Sequence, residues 1–481
     1  MKKDVVILIT KQFFKKAFST KGLFTLLLLF LTILIYVTVN GYKAFEKQQH
    51  TALHHQEKSR DSWESNPDKH PHRMAHFGSF IFRLQHPLTI FDSGIESYTG
   101  NAIFLEAHKQ NTANFSKASM STGLVRFGDL NIAILLQLFL PLIIFFLGYN
   151  TMVSEKENGT LKIVYIQGAS IKEIIFGKLF GLFLVSSLFF LPAFLSLWSI
   201  TFFKNTTLHN HLIIRCIFIT ISYFIFYFIL CGITVSVSAK SKNTTKALLI
   251  LLSIWLLFFI VIPKVTQSIG STLHPNISKV KFRAIVKEKT AKKGDSHNPK
   301  DPTFKNIQDS ILKANKVTSI KELPFNYKGF LMRRGEKQSA VIYQQEYQKL
   351  IDSYKKQNTI THYATLINPF LAIKNISMCF SSTDFNTYVD FLAQVEKHRY
   401  NQSQFMNNLQ MKFISNTAKG SEGKVHVVKK EHWKLAPKFK YHFISISKII
   451  KITLLSIISL LFWFLATLFL INKLSHHIKI I

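Results

Sequence analysis

Residues 216–237, CIFITISYFIFYFILCGITVSV, run for 22 positions without a charged side chain. A hydrocarbon core about 30 Å thick is crossed by roughly 20 helical residues rising about 1.5 Å each. Because that core holds no water to satisfy peptide groups, such a segment must be helical. Five more stretches free of acidic residues read the same way by their uncharged cores: Gly22–Val39, Asn131–Tyr149, Leu179–Thr201, Ala247–Ile262 and Ile452–Ile471. The fold expected is an all-α membrane protein with six spans, at residues 22–41, 131–149, 179–202, 213–237, 247–262 and 448–471. Between them lie an interface segment (1–21), two large insertions (42–130 and 263–447), loops at 150–178, 203–212 and 238–246, and a tail (472–481).

The formal net charge of +34 calls for an anionic neighbour. Lysines are dispersed among aromatics and acids, with no arginine-rich block or zinc-finger spacing, which favours anionic lipid over nucleic acid. Lys2, Lys3, Lys11, Lys15, Lys16 and Lys21 precede the first span and place the N-terminus in the cytoplasm. Alternation then puts both insertions and 203–212 outside, with 150–178, 238–246 and the tail inside. The short inner segments carry Lys156, Lys162, Lys172, Lys178, Lys240, Lys242, Lys246, Lys473 and Lys479, whereas the short outer loop carries Lys204 with Arg215 close behind it. No small-residue cleavage site follows the first span at Asn40-Gly41-Tyr42, so it is expected to be retained. Three cysteines supply no disulfide framework.

Val5, Val6, Ile9, Phe13 and Phe14 recur at near-helical spacing, as in an amphipathic helix on the cytoplasmic surface; the alternative is the start of one long first helix. The first insertion opens with a polar helical stretch, Ala44–Glu64. Asn66-Pro67 and His70-Pro71 interrupt it, and Phe77–Leu84 is a candidate for short strands. The second insertion reads as mainly helical after Pro324, with a packed face around Val341–Tyr354. Residues 292–305, rich in Gly, Asp, Asn and Pro, read as a disordered loop. Pro141 and Pro192 fall within spans, where proline frees a carbonyl and kinks a helix.

The uncharged cores contain no Asp, Glu, Lys or Arg, so a charge relay at membrane depth has no carrier. Phosphate binding by a P-loop needs a glycine-rich turn ending in Lys and Ser or Thr. Phe176-Gly177-Lys178-Leu179 lacks both the hydroxyl and the upstream glycine. Energy must therefore enter from another chain. The loop after the second span reads Ser154-Glu155-Lys156-Glu157-Asn158-Gly159-Thr160-Leu161-Lys162, then Ile166-Gln167-Gly168-Ala169-Ser170-Ile171-Lys172-Glu173, ending at Phe176-Gly177-Lys178. Acids near a helix exit, a turn at Gly159 and a short amphipathic helix form a compact docking element. Gly159 permits a left-handed turn, while Leu161, Val164 and Tyr165 offer an apolar face to a groove.

This loop resembles the signature of ABC-2 type transporter permeases, Glu-x-Glu-x-Gly-Thr-Leu followed by Gly-Lys, on Glu155, Glu157, Gly159, Thr160, Leu161, Gly177 and Lys178. The resemblance implies that these seven residues couple the chain to a separate ATP-binding subunit, and that the N-terminal segment is an interface helix. It places ATP and magnesium on that partner, with no cofactor and no catalysis on this chain. It further implies a second permease copy or a related chain, an exporter in a bacterial inner membrane, and both termini in the cytoplasm. Phe91-Asp92-Ser93-Gly94-Ile95, Asn368-Pro369-Phe370, Ser377-Met378 and Ser382-Thr383-Asp384-Phe385 are similar to a subclass with two large extracytoplasmic insertions. Its relatives serve gliding motility and nitrous-oxide-reductase maturation. That kinship also allows a subunit that transmits force to a periplasmic protein without moving cargo.

The first insertion holds His50, His54, His55, His70, His72, His76, His86 and His108. His50 and His54 share a helical face, but no carboxylate or thiolate is evident beside them, and no metal ligand is assigned. Asp92, Glu106 and His108 lack a nucleophile at recognisable spacing and read as buried hydrogen-bonding residues.

Overall fold

The computed structural model describes residues 2–114, 116, 130–203, 209–294, 301–417 and 426–477. Residues 204–208 of the loop 203–212, including Lys204, the centre of the stretch 292–305 and the last four residues of the tail lie outside the described residues.

Helix α1 (Lys3–Phe18) is separated from α2 (Lys21–Glu64) by an extended residue at Thr20. With 44 residues, α2 is about 66 Å long, so the polar stretch expected at Ala44–Glu64 continues the first span as one rod. Next come α3 (Pro71–Phe77), β1 (Ser79–Phe82) and β2 (Ala102–Leu105). The second span, α4, joins Ile132–Ile134, a π-helical turn Leu135–Phe139, and Leu140–Gly148. Short helices α5 (Val153–Glu157) and α6 (Thr160–Ile166) lead to the third span α7 (Ile171–Phe203) and the fourth, α8 (His209–Lys240). The fifth, α9, comprises Thr244–Leu256, a π-helical turn Leu257–Val261, and Ile262–Leu273. Then follow α10 (Lys279–Ala291), α11 (Pro302–Ala314), α12 (Tyr327–Tyr363), α13 (Pro369–Phe380), α14 (Phe385–Phe413) and the last span α15 (Ile446–His477). Among the described residues, six helices are long and apolar enough to cross a membrane.

Both π turns stand just before a proline, and chemistry explains how they are tolerated. Pro141 and Pro263 have no N–H to return to the preceding turn. The carbonyl five residues before Pro141, on Leu136, accepts from Tyr227 Oη at 3.0 Å. The equivalent carbonyl before Pro263, on Phe258, accepts from Asn368 Nδ2 at 2.7 Å. Trp255 Nε1 donates to Leu138 O at 3.1 Å, tying the fifth span to the second. Both of these carbonyls thus find a side chain from another element, as a dry interior requires.

Helix α13 lies within the expected extracytoplasmic insertion 263–447 and belongs to the bundle core. It packs on α8 and α15, and Phe370, Ile373, Ile376 and Phe380 join the same core as the spans. Its cap residue Asn368 holds Phe258, while Ser459 donates to Thr365 O and Trp463 Nε1 to Leu366 O (3.0 Å). At 12 residues it is too short to span, so length alone does not reveal it.

The two insertions form one head. The antiparallel β1–β2 pair, with Phe80 opposite Phe104 and Ile81 opposite Ile103, lies along the C-terminal half of α2. There Ser59 Oγ and Gln56 Oε1 accept from the edge amides of Phe80 and Phe82 at 2.7 and 2.9 Å. These side chains cap an otherwise open strand edge. Ile81 and Ile103 pack with Phe391 and Val395 of α14, while Trp63 and Met74 pack with Met406 and Trp433. Lys69 and Val428 exchange backbone hydrogen bonds across the two insertions.

Candidate coupling site

The loop 150–178 is held both by contacts within itself and by contacts to α1, α8 and α9. Met152 N and Val153 N donate to Ser238 Oγ of α8 at 3.0 and 3.2 Å, seating α5 against the fourth span. Lys156 Nζ donates to Ala239 O. Glu155 pairs with Lys178, and the Lys178 ammonium lies 6.0 Å from the centroid of the Phe13 ring. Glu157 Oε1 accepts from Thr244 N at 3.1 Å, next to the cap residue Asn243 that starts α9. A carboxylate there meets the positive end of the helix dipole.

Gly159 has φ 71°, left-handed backbone that a side chain disfavours, and it turns α5 into α6. Thr160 Oγ1 donates to Glu155 O at 3.4 Å across that turn. Leu161 is buried beneath α6 and Val164 packs against the core. Tyr165, from the face expected by sequence, is turned outward together with Ile163 and Ile166, the last 81% exposed. Their spacing along one short helix leaves an apolar tip flanked by exposed Lys162 and Gln167.

Ser170 and Glu173 form a reciprocal cap at the start of α7. Ser170 N donates to Glu173 Oε2 at 2.9 Å, and Glu173 N donates to Ser170 Oγ at 3.3 Å. The other oxygen of Glu173 accepts from Lys2 N at 2.5 Å, which pins the beginning of α1. Further along, Gly177 lies against α1 so closely that a Cβ would sit 2.6 Å from Ile9 Cβ, and one at Gly181 would sit 2.7 Å from Phe13 Cβ. This small-x-x-x-small face lets the two helix backbones approach, and Thr10 Oγ1 donates to Gly177 O at 3.1 Å.

Of the seven residues singled out by sequence, Glu155, Gly177, Lys178 and Leu161 are therefore engaged within the chain, and Gly159 and Thr160 shape the turn. Glu157 is exposed while capping α9. Glu173, Gly181, Ser238, Ile163 and Ile166 did not figure among them. The Ser-x-x-Glu and Gly-x-x-x-Gly spacings carry two of these signals openly, but which face of α6 points outward depends on where Leu161 is buried.

Residues 89–279 match the family described as ABC-2 family transporter protein, and residues 279–442 match a domain of unknown function, DUF3526. The first match takes in the second to fifth spans and the whole loop 150–178, and it leaves out the first and last spans. The second takes in most of the expected second insertion, including α13. Among curated proteins, none matches the chain. The segment similar to the ABC-2 family thus lies within a multi-pass, all-α membrane region, and the segment similar to DUF3526 follows it directly. The matches name neither the gliding-motility nor the nitrous-oxide relatives.

Proposed function

We propose that this chain is the membrane-spanning permease subunit of an ATP-driven ABC-2 type exporter in a bacterial inner membrane, with both termini and the loop 150–178 in the cytoplasm. The observation that carries the reading is the apolar tip Ile163, Tyr165 and Ile166 on a braced platform, inside the segment that matches the transporter family. An exposed apolar tip on a rigid mount is the form of an element that inserts into a partner's groove. Here the partner is a separate ATP-binding subunit, which carries ATP and magnesium. Glu155, Glu157, Gly159, Thr160, Leu161, Gly177 and Lys178 act in this scheme by holding the tip in place.

Closure of the ATP-binding subunits would pull α6. The pull passes through Glu155–Lys178 and the Ser170–Glu173 cap into α7 and α1, rocking the spans as rigid bodies. The first and fifth spans bury little of their apolar windows within one chain. That leaves faces for lipid and for a second permease copy or a related chain.

One observation favours a second reading, force transmission to a periplasmic protein. The head is tied to the spans by a string in which Gln137 Nε2 donates to Tyr223 Oη (2.6 Å), Tyr223 Oη to Ser377 Oγ (3.1 Å), and Ser377 Oγ to Asp92 Oδ2 (2.5 Å). Movement of α4 or α8 would reach the head through it.

The test replaces Ile163 and Ile166 together by Glu in protein reconstituted with the ATP-binding subunit that copurifies from native membrane. ATPase stimulation should fall at least about tenfold, the loss of roughly 1.4 kcal/mol of coupling, with an unchanged melting temperature. Full stimulation in the double variant would defeat the docking assignment. Vesicles that hydrolyse ATP yet move no amphiphilic solute would favour force transmission over export.

A further inference from the structure

We propose that His72, His76 and His108 form a binding site for one borderline divalent metal ion, Zn2+ or Cu2+, on the joint head. One ligand nitrogen from each ring lies within 4.8 Å of the other two. The ring centroids are 4.7 Å apart for His72 and His76, and 5.5 and 5.4 Å from each of these to His108. A tetrahedral ion with bonds of about 2.0–2.1 Å holds its ligands roughly 3.4 Å apart. Rotation of the rings by about an ångström closes the set. All-imidazole ligation suits zinc and copper rather than calcium or magnesium, which take oxygen.

The local structure prepares these residues. His72 and His76 stand one turn apart on α3, whose first residue is Pro71 and whose cap is the His70 ring accepting from His72 N at 3.2 Å. His108 follows β2 with φ 62°, a left-handed conformation uncommon outside glycine. Glu336 of α12 stabilises that turn. Its Oε2 accepts from His108 N at 3.2 Å and lies 3.0 Å from His108 Nδ1. A carboxylate on Nδ1 sets the tautomer that presents Nε2 to a metal. Glu336 is itself anchored, with Oε1 2.7 Å from Arg399 Nη1, while Arg399 makes two 2.8 Å hydrogen bonds to Glu396.

His76 is exposed, whereas His72 and His108 are half-buried, so an ion can enter from solvent and keep a water as fourth ligand. His50 and His54, the pair flagged by sequence spacing, stack at 6.3 Å and gain no third ligand among the described residues. The third ligand of the proposed site comes from beyond the β1–β2 pair, which spacing does not reveal. A bound ion would clip α3 to the end of β2, and Glu336 would carry that clip into α12. None of this depends on export or force transmission.

The experiment uses the full chain in detergent, purified without a histidine tag, stripped with chelator and titrated separately with Zn2+ and Cu2+ against a chromophoric competitor. One equivalent should bind, and the preferred ion should show three imidazoles by X-ray absorption. His76→Asn changes an exposed side chain, so the metal-free melting temperature stays at the wild-type value. It should weaken binding at least about tenfold and abolish the rise in melting temperature that the ion gives the wild type. Joint replacement of His50 and His54 by Asn should leave both readouts unchanged. Binding of neither ion, binding that His76→Asn leaves intact, or equal loss in the His50/His54 control would overturn the site.

Discussion

The two ends of the bundle are built differently. At the loop end two of the bracing contacts are local, Ser170 with Glu173 three residues on and Glu155 with Lys178 after 23, beside others that reach α1, α8 and α9. At the head end they join distant chain segments. Asp92 meets Ser377 across 285 positions, and Arg215 Nη1 donates to Phe380 O and Ser382 Oγ, both at 2.7 Å. A local brace can be loosened without disturbing the rest of the fold, whereas a knot between distant segments is part of the same cooperative unit as the core. The difference predicts that damage at the head shows up as lost stability, and damage at the loop as lost coupling.

The largest expected effect tests the head by pH. His398 on α14 lies against Phe439 with ring centroids 5.4 Å apart. Burial, with Arg60 adding to it, lowers its pKa from 6.5 to about 4. The unfolded chain therefore takes up a proton at His398 before the folded one does. The stability this neutral ring contributes is full above pH 6.5 and is lost as pH falls from there through 4. A shift of this size is worth on the order of 3 kcal/mol. Denaturation at pH 7 and pH 4.5 should show the loss in wild type and a smaller one in His398→Phe, which keeps the packing. Identical slopes in the two proteins would exclude His398 as the source.

Next in size is Ser377→Ala, which leaves Asp92 and Tyr223 without their shared hydroxyl. Burial already pushes the Asp92 carboxyl up, while the hydrogen bonds from Ser377 and Gly94 pull it down. Losing one partner of a buried polar group costs about 1–3 kcal/mol. Head and bundle should lose it together, as one lowered transition in both a head-specific tryptophan signal and the helical signal. Two separated transitions would mean that the string joins bodies that fold independently.

The same contrast explains what could be read from the sequence. The spans announce themselves by length and lack of charge, and the seven loop residues fall within one short segment, Glu155–Lys178. The union of Trp63 with Trp433, or of Ile81 with Phe391, has no local signature, because each side reads as an ordinary apolar position. Helix α13 escapes for two reasons: it is short, and Lys374 interrupts its apolar run. Within the loop, spacing identifies α6 but not its outward face. Leu161 rather than Ile163 is the residue tucked under the helix, and that choice depends on tertiary packing.

The smallest effect on stability is expected from Glu157→Arg, and it is the sharpest test of the loop end. The carboxylate accepts one backbone hydrogen bond from Thr244 at the start of α9. Reversing its charge there costs about 0.3–1 kcal/mol by the helix-dipole effect, and less in salt. The melting temperature should barely move. Association with the ATP-binding subunit should nevertheless weaken, because the side chain is exposed beside the α5–α6 turn and its cap helps set how the tip of α6 is presented. Measured by affinity pull-down across salt concentrations, the defect should be greatest at low salt, where reversed charge acts over the longest range. A variant that melts normally and binds normally would show that the brace around Glu157 serves the fold alone, and that the two ends of the bundle are less different than their contacts suggest.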